Sequence, residues 1–205
     1  MLLCDIGNTT YHFLDDKKDY KVALGDLNPE NVKEKVFYIC VNQKVKNILK
    51  NLPNWVDLSQ FVDMQNYYDT MGIDRIFACE AVSDKVVVDV GSAITVDVVK
   101  KNKFEGGFIY PGINAMQKTY ENISSALAYS FNFELNLDKM PKNSTDAISY
   151  GYLKTLYVEV MSHEMDIVLT GGDALKFASI FPNAQVDEQL IFNGMKKIIN
   201  KANIC

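Results

Sequence analysis

Asp89-Val90-Gly91-Ser92-Ala93-Ile94-Thr95 runs out of the apolar stretch Val86-Val87-Val88, and Asp5-Ile6-Gly7-Asn8-Thr9, 84 positions earlier, runs out of Met1-Leu2-Leu3-Cys4. Each phrase ends a β-type run in a carboxylate, turns through glycine and continues into small hydroxyl or amide residues. That order suits a phosphate clamp: an acid to hold a cation, a glycine where the backbone turns tightly, and short donors facing phosphate oxygens. One Asp-x-Gly is ordinary turn chemistry, and Gly7-Asn8 is a common hairpin dipeptide. Two copies spaced by a whole subdomain point to two lobes that grip one nucleotide.

Working outward, the first lobe reads as strands at 1–7, 10–14 and 20–24, with Asp15-Asp16-Lys17-Lys18 as a charged turn. Residues 28–35 have helical character after Pro29, and 36–41 is a nearly continuous apolar run, as in a strand buried on both faces. An amphipathic helix over 43–52 stops at Pro53, and 55–58 offers a fifth strand. The helix over 76–83 connects to the second lobe, which repeats the order. Strands fall at 85–89, 93–100 and 104–110, helices at 113–127 and 145–161, a strand at 166–170, and helices at 174–181 and 190–202. The pattern predicts a duplicated α/β fold with lobes at 1–83 and 84–205.

The 205 residues, 48% hydrophobic and 11% aromatic, can bury a substantial core. A net charge of −5 and a single arginine, Arg75, give no basic footprint for nucleic acid. Cys4, Cys40, Cys79 and Cys205 show no metal spacing, and Cys4 and Cys40 sit in apolar runs where cysteine acts as a small buried hydrophobe. Leu2-Leu3 meets Asp5 at once, so no signal peptide forms, and no apolar run approaches the roughly 20 residues of a membrane helix. A cytoplasmic protein with no membrane partner is expected.

Four phrases in order, Asp5–Thr9, Gly72-Ile73-Asp74-Arg75, Asp89–Thr95 and Gly106-Gly107-Phe108-Ile109-Tyr110-Pro111-Gly112, resemble the type III pantothenate kinase family. Two more agree: Ser144-Thr145-Asp146-Ala147-Ile148 with Gly151, and Thr170-Gly171-Gly172-Asp173. The family belongs to the acetate/sugar kinase–Hsp70–actin superfamily. The resemblance therefore implies actin-like (ribonuclease H-like) lobes, each a mixed sheet flanked by helices. It implies ATP-dependent phosphorylation of pantothenate to 4′-phosphopantothenate, with magnesium and a monovalent cation, potassium or ammonium. It also implies a homodimer whose pantothenate site includes residues of the neighbouring subunit.

Carried over residue by residue, Asp5, Ile6, Gly7, Asn8, Thr9, Thr10, Tyr11 and His12 resemble the first ATP segment, with Asp5 steering magnesium through water. For His12, on the strand just after the loop, ordinary strand packing is the first reading and contact with ATP the second. Ser92 matches the family's ATP-contacting hydroxyl, in place of the more usual threonine, and Asp89 its monovalent-cation ligand. Gly171-Gly172 resembles the superfamily's adenosine-side glycines, and Thr95 and Asp97 read as structural strand positions. Asp74 is the expected general base, since a carboxylate within reach can take the proton from the attacking hydroxyl. Gly72 and Ile73 would contact substrate, and Arg75 would bind the pantothenate carboxylate through its planar donor fork. Asp74 also suits a helix N-terminus electrostatically, which is its plain structural reading. Thr145 matches the threonine that reaches the partner's pantothenate, while Ser144 or Asn143 caps the helix. The substrate-contacting tyrosine is Tyr68 or Tyr67; the upstream segment is shorter than usual and lacks the common proline. Two other readings stand beside the enzyme: a non-catalytic regulatory protein on the same scaffold, and a kinase for another small hydroxyl acceptor.

Overall fold

In a computed structural model, which describes residues 1–16 and 18–204, the chain divides into two units. One comprises Met1–Val82 together with the residues from Gln189 onward, and the other Ser83–Glu188. Lys17 of the expected charged turn and Cys205 lie outside the described residues.

The first unit is built on β1 (Leu2–Ile6), β2 (Thr10–Leu14), β3 (Asp19–Ala23), β4 (Val36–Cys40) and β5 (Trp55–Asp57), in the order β3-β2-β1-β4-β5. The β1–β2–β3 pairings are antiparallel, and β1–β4 and β4–β5 are parallel. Alternation sends Cys4, Ile6, Tyr11, Phe13, Tyr38 and Trp55 to one face, where α1 (Gln43–Leu49) adds Val45 and Leu49. Asn42 starts α1 by accepting from the backbone N–H groups of Lys44 and Val45. The other parity, including Asp5 and His12, faces away from that cluster. Residues 28–35 form only a 3-10 turn, Pro29–Asn31. Pro29 supplies the start, but Val32 alone follows it as an apolar residue before Val36, so no stripe exists to bury. The helix α2 (Ile73–Ala81) buries Ile76, Phe77 and Ala78.

The second unit repeats the topology. Its strands are β6 (Lys85–Val90), β7 (Ala93–Lys100), β8 (Lys103–Pro111), β9 (Ile167–Thr170) and β10 (Gln185–Val186). Their order, β8-β7-β6-β9-β10, is that of the first sheet, with the same antiparallel meander followed by parallel neighbours. Lys101 and Asn102, at φ 51° and 59°, make the two-residue hairpin between β7 and β8. Val86, Val88, Val90, Ile94, Val96 and Leu169 pack under α4 (Ser144–Met161), with Ile113 of α3 (Ile113–Ile123) and Phe177 of α5 (Ala174–Phe177). Val87, Asp89, Thr95, Asp97, Val168 and Thr170 take the opposite face. The motif aspartates therefore hold the same place in each sheet, on the face opposite the cluster that α1 covers in the first unit and α4 in the second.

The last helix, α6 (Leu190–Ala202), belongs with the first unit, whereas the sequence division at 83/84 placed it in the second. It packs along α2 at Gly194, where any Cβ would overlap the backbone carbonyl of Phe77. Its buried stripe is Leu190, Phe192, Met195, Ile198 and Ile199.

Candidate active site

In the first unit, β1 ends at Ile6 and the loop closes by Gly7 N–H donating to Thr10 O at 3.0 Å. Leu24 N–H donates to Thr9 O at 3.0 Å and ties the loop to the end of β3. Asn8 and Thr9 are exposed. The turn does not itself require glycine, contrary to expectation: Gly7 and Gly91 both lack a positive φ. A Cβ on Gly7 would meet only Thr10 O at 3.8 Å, and one on Gly91 only Ala93 O at 3.6 Å. What the missing side chain leaves is bare backbone with room for an approaching group.

Of the residues read as nucleotide contacts, Ile6 and Tyr11 turn into the core; Tyr11 stacks on Phe13 and tilts against Trp55. Only their backbone can face a nucleotide. His12 lies across from Asp5 in the β1–β2 register. Its Nε2 is 2.6 Å from Asp19 Oδ1, its ring meets the edge of Phe192, and Asp19 Oδ2 also accepts from Gln189 Nε2 at 3.2 Å.

Gly72, in extended conformation, leads into α2, and Asp74 and Arg75 fall in its first turn. The half-buried Asp74 carboxylate accepts the Arg75 N–H at 2.8 Å, occupying the anion-favouring end of the helix. Arg75 is only 4% exposed, and its Nη1–H donates to Tyr68 Oη at 2.6 Å. Tyr67 instead donates to Glu80 Oε1 at 2.9 Å. The two tyrosines thus separate: Tyr68, 43% exposed, stands at the arginine, and Tyr67 bonds to the last turn of the helix.

In the second unit, Asp89 is flanked in register by Thr95 on β7 and Thr170 on β9, giving three oxygen-bearing side chains in a row on one sheet face. The Thr95 Oγ1 is buried with no hydrogen-bond partner. Such a hydroxyl costs about 1–3 kcal/mol when nothing answers it. Gly171, at φ 88°, lies against Asp89, where a Cβ would overlap Oδ1 and the Val90 carbonyl. Carboxylate and hydroxyl oxygens beside a space kept clear by glycine fit a hard monovalent cation. Asp5, half-buried at the end of β1, is the carboxylate at the corresponding place in the first sheet. Among the described residues no three His, Cys, Asp or Glu side chains gather to hold a metal. A magnesium ion would therefore take most of its ligands from phosphate and water, as that ion commonly does.

The family model for type III pantothenate kinase matches residues 30–164. The chain belongs to the type III pantothenate kinase family. A Sulfurimonas denitrificans protein named type III pantothenate kinase is 63% identical over 205 residues, covering all of both chains. The solved structure of a Campylobacter jejuni protein, described as of the Baf family of transcriptional activators, is 41% identical with a TM-score of 0.91, again covering both chains completely. A Sinorhizobium meliloti protein described as a 2-dehydro-3-deoxygalactonokinase shares the fold alone, at 9% identity and a TM-score of 0.58, over 100% of this chain and 99% of its own.

Within this type III pantothenate kinase family chain, two further residues shape the second phosphate phrase. Gly112 presses on the loop: a Cβ there would overlap the carbonyl oxygens of Gly91 and Ser92. Behind it, Tyr152 Oη–H donates to Pro111 O at 2.7 Å, with its ring stacked on Phe131. Ser92 itself is exposed on the loop. The Pro111-Gly112 phrase carries the family resemblance in the sequence, yet its supporting role appears only when β8 is laid beside β7. Thr145 stands in the first turn of α4, whose cap is Asn143, accepting from Asp146 N–H at 2.9 Å. The Asp146 carboxylate accepts from Asn132 at 2.9 Å and Asn143 at 2.7 Å, and these bonds hold its pKa below the ordinary carboxylate value. Cys4 and Cys40 are buried, as expected, and burial pushes both thiols up.

Proposed function

We propose that this chain transfers the γ-phosphoryl group of ATP to the hydroxyl of pantothenate, giving 4′-phosphopantothenate in the first step towards coenzyme A. The observation that carries the reading is the setting of Arg75. The only arginine of the chain is buried in the first turn of α2, held by Tyr68, next to a carboxylate. The planar fork of a guanidinium matches a carboxylate such as that of pantothenate, and Asp74 beside it brings a proton-accepting oxygen to the same helix start.

In this reading Asp74 accepts the proton of the attacking hydroxyl, while Arg75 and Tyr68 orient the acceptor. Gly72 and Ile73 line the same substrate. The backbone of Asp5, Ile6, Gly7, Asn8, Thr9, Thr10, Tyr11 and His12 receives ATP with the Ser92 hydroxyl, their N–H and O–H groups donating to phosphate oxygens. Magnesium, when bound, offsets the charge on the phosphate oxygens; Asp5 would hold it through water. Asp89 would hold potassium or ammonium. Thr145 serves the partner subunit's pantothenate, so the working form is a homodimer. Its place is the cytoplasm, in keeping with there being no helix among the described residues long and apolar enough to cross a membrane.

The test is a coupled kinase assay with ATP, magnesium and pantothenate, in potassium and again in sodium. Turnover requiring pantothenate and potassium is expected. A folded protein without turnover in either salt would hand the site to another acceptor or to a regulatory role. The regulatory reading has the Baf description of the Campylobacter jejuni relative behind it. A net charge of −5 tells against direct DNA contact, and retention on DNA at physiological salt without kinase activity would reverse the ranking.

A further inference from the structure

We propose that Thr95, through Oγ1, is a ligand of the monovalent cation at Asp89. The inference rests on the cation reading of Asp89 given above and adds a residue to it. On β7 the side chains of Ile94, Val96 and Val98 enter the core of the second unit, and Thr95 lies on the other face, directly across from Asp89. Side chains so paired have Cβ atoms about 4.5–5.5 Å apart, which lets a carboxylate and a hydroxyl oxygen share one small ion.

Three features make the hydroxyl more than a strand residue. It is buried and has no hydrogen-bond partner, although threonine in a strand normally finds one. Valine has nearly the same shape and would fill the position without an unanswered polar atom, as Val87 and Val168 do on the same face. Glycine at 171, in a left-handed conformation, keeps side-chain bulk away from the Asp89 Oδ1. A hydroxyl oxygen suits a hard cation and needs no deprotonation to coordinate it, unlike a thiol or imidazolium. The row is extended by Thr170, cross-strand from Asp89 on its other side and 2% exposed. Oxygen-bearing side chains from three neighbouring strands thus stand in one row on one sheet face, and the orphaned one marks where the guest belongs.

The experiment measures thermal unfolding of the full-length protein without ATP or pantothenate. Potassium chloride is titrated against tetramethylammonium chloride at constant ionic strength, for the wild type, Thr95→Val, Thr95→Ser and Asp89→Asn. The wild type and Thr95→Ser should gain Tm as potassium rises. Thr95→Val should need at least tenfold more potassium for the same gain, and Asp89→Asn should show none. In tetramethylammonium, Thr95→Val should melt no lower than the wild type, because it loses an unanswered buried hydroxyl, so misfolding is distinguished from lost binding. If Thr95→Val melts lower there, Thr95→Ala takes its place on the same criterion.

A potassium midpoint within twofold of wild type in Thr95→Val, or no potassium effect on the wild-type Tm, overturns the assignment. The kinase reading fails separately, by absence of pantothenate turnover in every salt. Turnover that depends on potassium, with a Thr95→Val midpoint unchanged, removes Thr95 and leaves Asp89.

Discussion

At the scale of single residues, the proposed reading gives the pair at the start of α2 two separate tasks. Asp74 holds a proton-accepting oxygen at the helix end, and Arg75 holds a charge below the surface. Asp74→Asn keeps the shape and the bond from Arg75 N–H, so a Tm within a degree or two of wild type is expected. Its kcat should fall about 10²–10⁴-fold, the usual share of a general base. Undiminished turnover would remove Asp74 from that role. Arg75→Lys keeps the charge but loses the fork that meets both Tyr68 and a carboxylate. The pantothenate KM should rise tenfold or more with the ATP KM near its original value; an equal rise in both would mean that the helix has shifted.

How much of this could be read beforehand differs residue by residue. Asp5, Asp74, Arg75 and Asp89 stand out as candidates in the sequence because their neighbours form ordered phrases; the roles proposed for them rest on the family resemblance. The choice between Tyr67 and Tyr68 was not, since adjacent residues in a short polar stretch differ only in direction. Thr95 looked like one beat of an alternating strand; only the pairing across to Asp89 gives its oxygen a meaning.

At the scale of elements, the glycines of the two phosphate phrases and the glycines beneath them behave oppositely. Gly7 has room for a methyl group, so Gly7→Ala should change stability by less than about 1 kcal/mol while raising the ATP KM. Gly112 has none. Gly112→Ala pushes on the carbonyl oxygens of Gly91 and Ser92 and should cost about 1–3 kcal/mol as well as activity. Urea unfolding paired with ATP kinetics distinguishes them, and equal destabilisation by both would contradict the packing. Helix α4 carries a pH dependence. Bonds from Asn132 and Asn143 lower the Asp146 pKa in the folded state. That contribution is present above the unfolded carboxylate value and is lost as pH falls through the lower folded value. The stability difference between wild type and Asp146→Asn should therefore be largest near neutrality and shrink on acidification; a difference independent of pH would exclude the linkage.

Elements with an apolar stripe were legible from the sequence and the rest less so. The run over 36–41 announced a strand buried on both faces, found at Val36–Cys40, and 190–202 announced a helix. The two-residue β10 is too short for any period, and the helix expected over 28–35 had capping chemistry but no apolar stripe at helical spacing.

At the scale of the whole molecule, the duplicated topology explains why the two Asp-x-Gly phrases resemble each other: each is the first hairpin of its own sheet, and the two sheets share one strand order. Sequence adjacency assigned the final helix to the wrong unit, because a stripe names what must be buried and not its partner. The proposed composite site in a homodimer gives a test at this scale. Asp74→Asn and Thr145→Val, each nearly silent alone at low pantothenate, should recover about a quarter of wild-type activity once subunits are exchanged. Half of the dimers are then mixed, with one intact site of two. No recovery after confirmed exchange would place Thr145 on its own subunit's substrate or outside the site.

The seating of α6 on α2 has a consequence for how the protein is made. The second unit is one uninterrupted stretch and is free to fold as soon as it leaves the ribosome. The first is written in two instalments, and the helix that opens with Asp74 and Arg75 must wait, its apolar side uncovered, until Gly194 arrives to close against Phe77. Translation that stops short of residue 190 leaves a nascent product with α2 unclamped, bait for chaperones and proteases instead of a crippled catalyst.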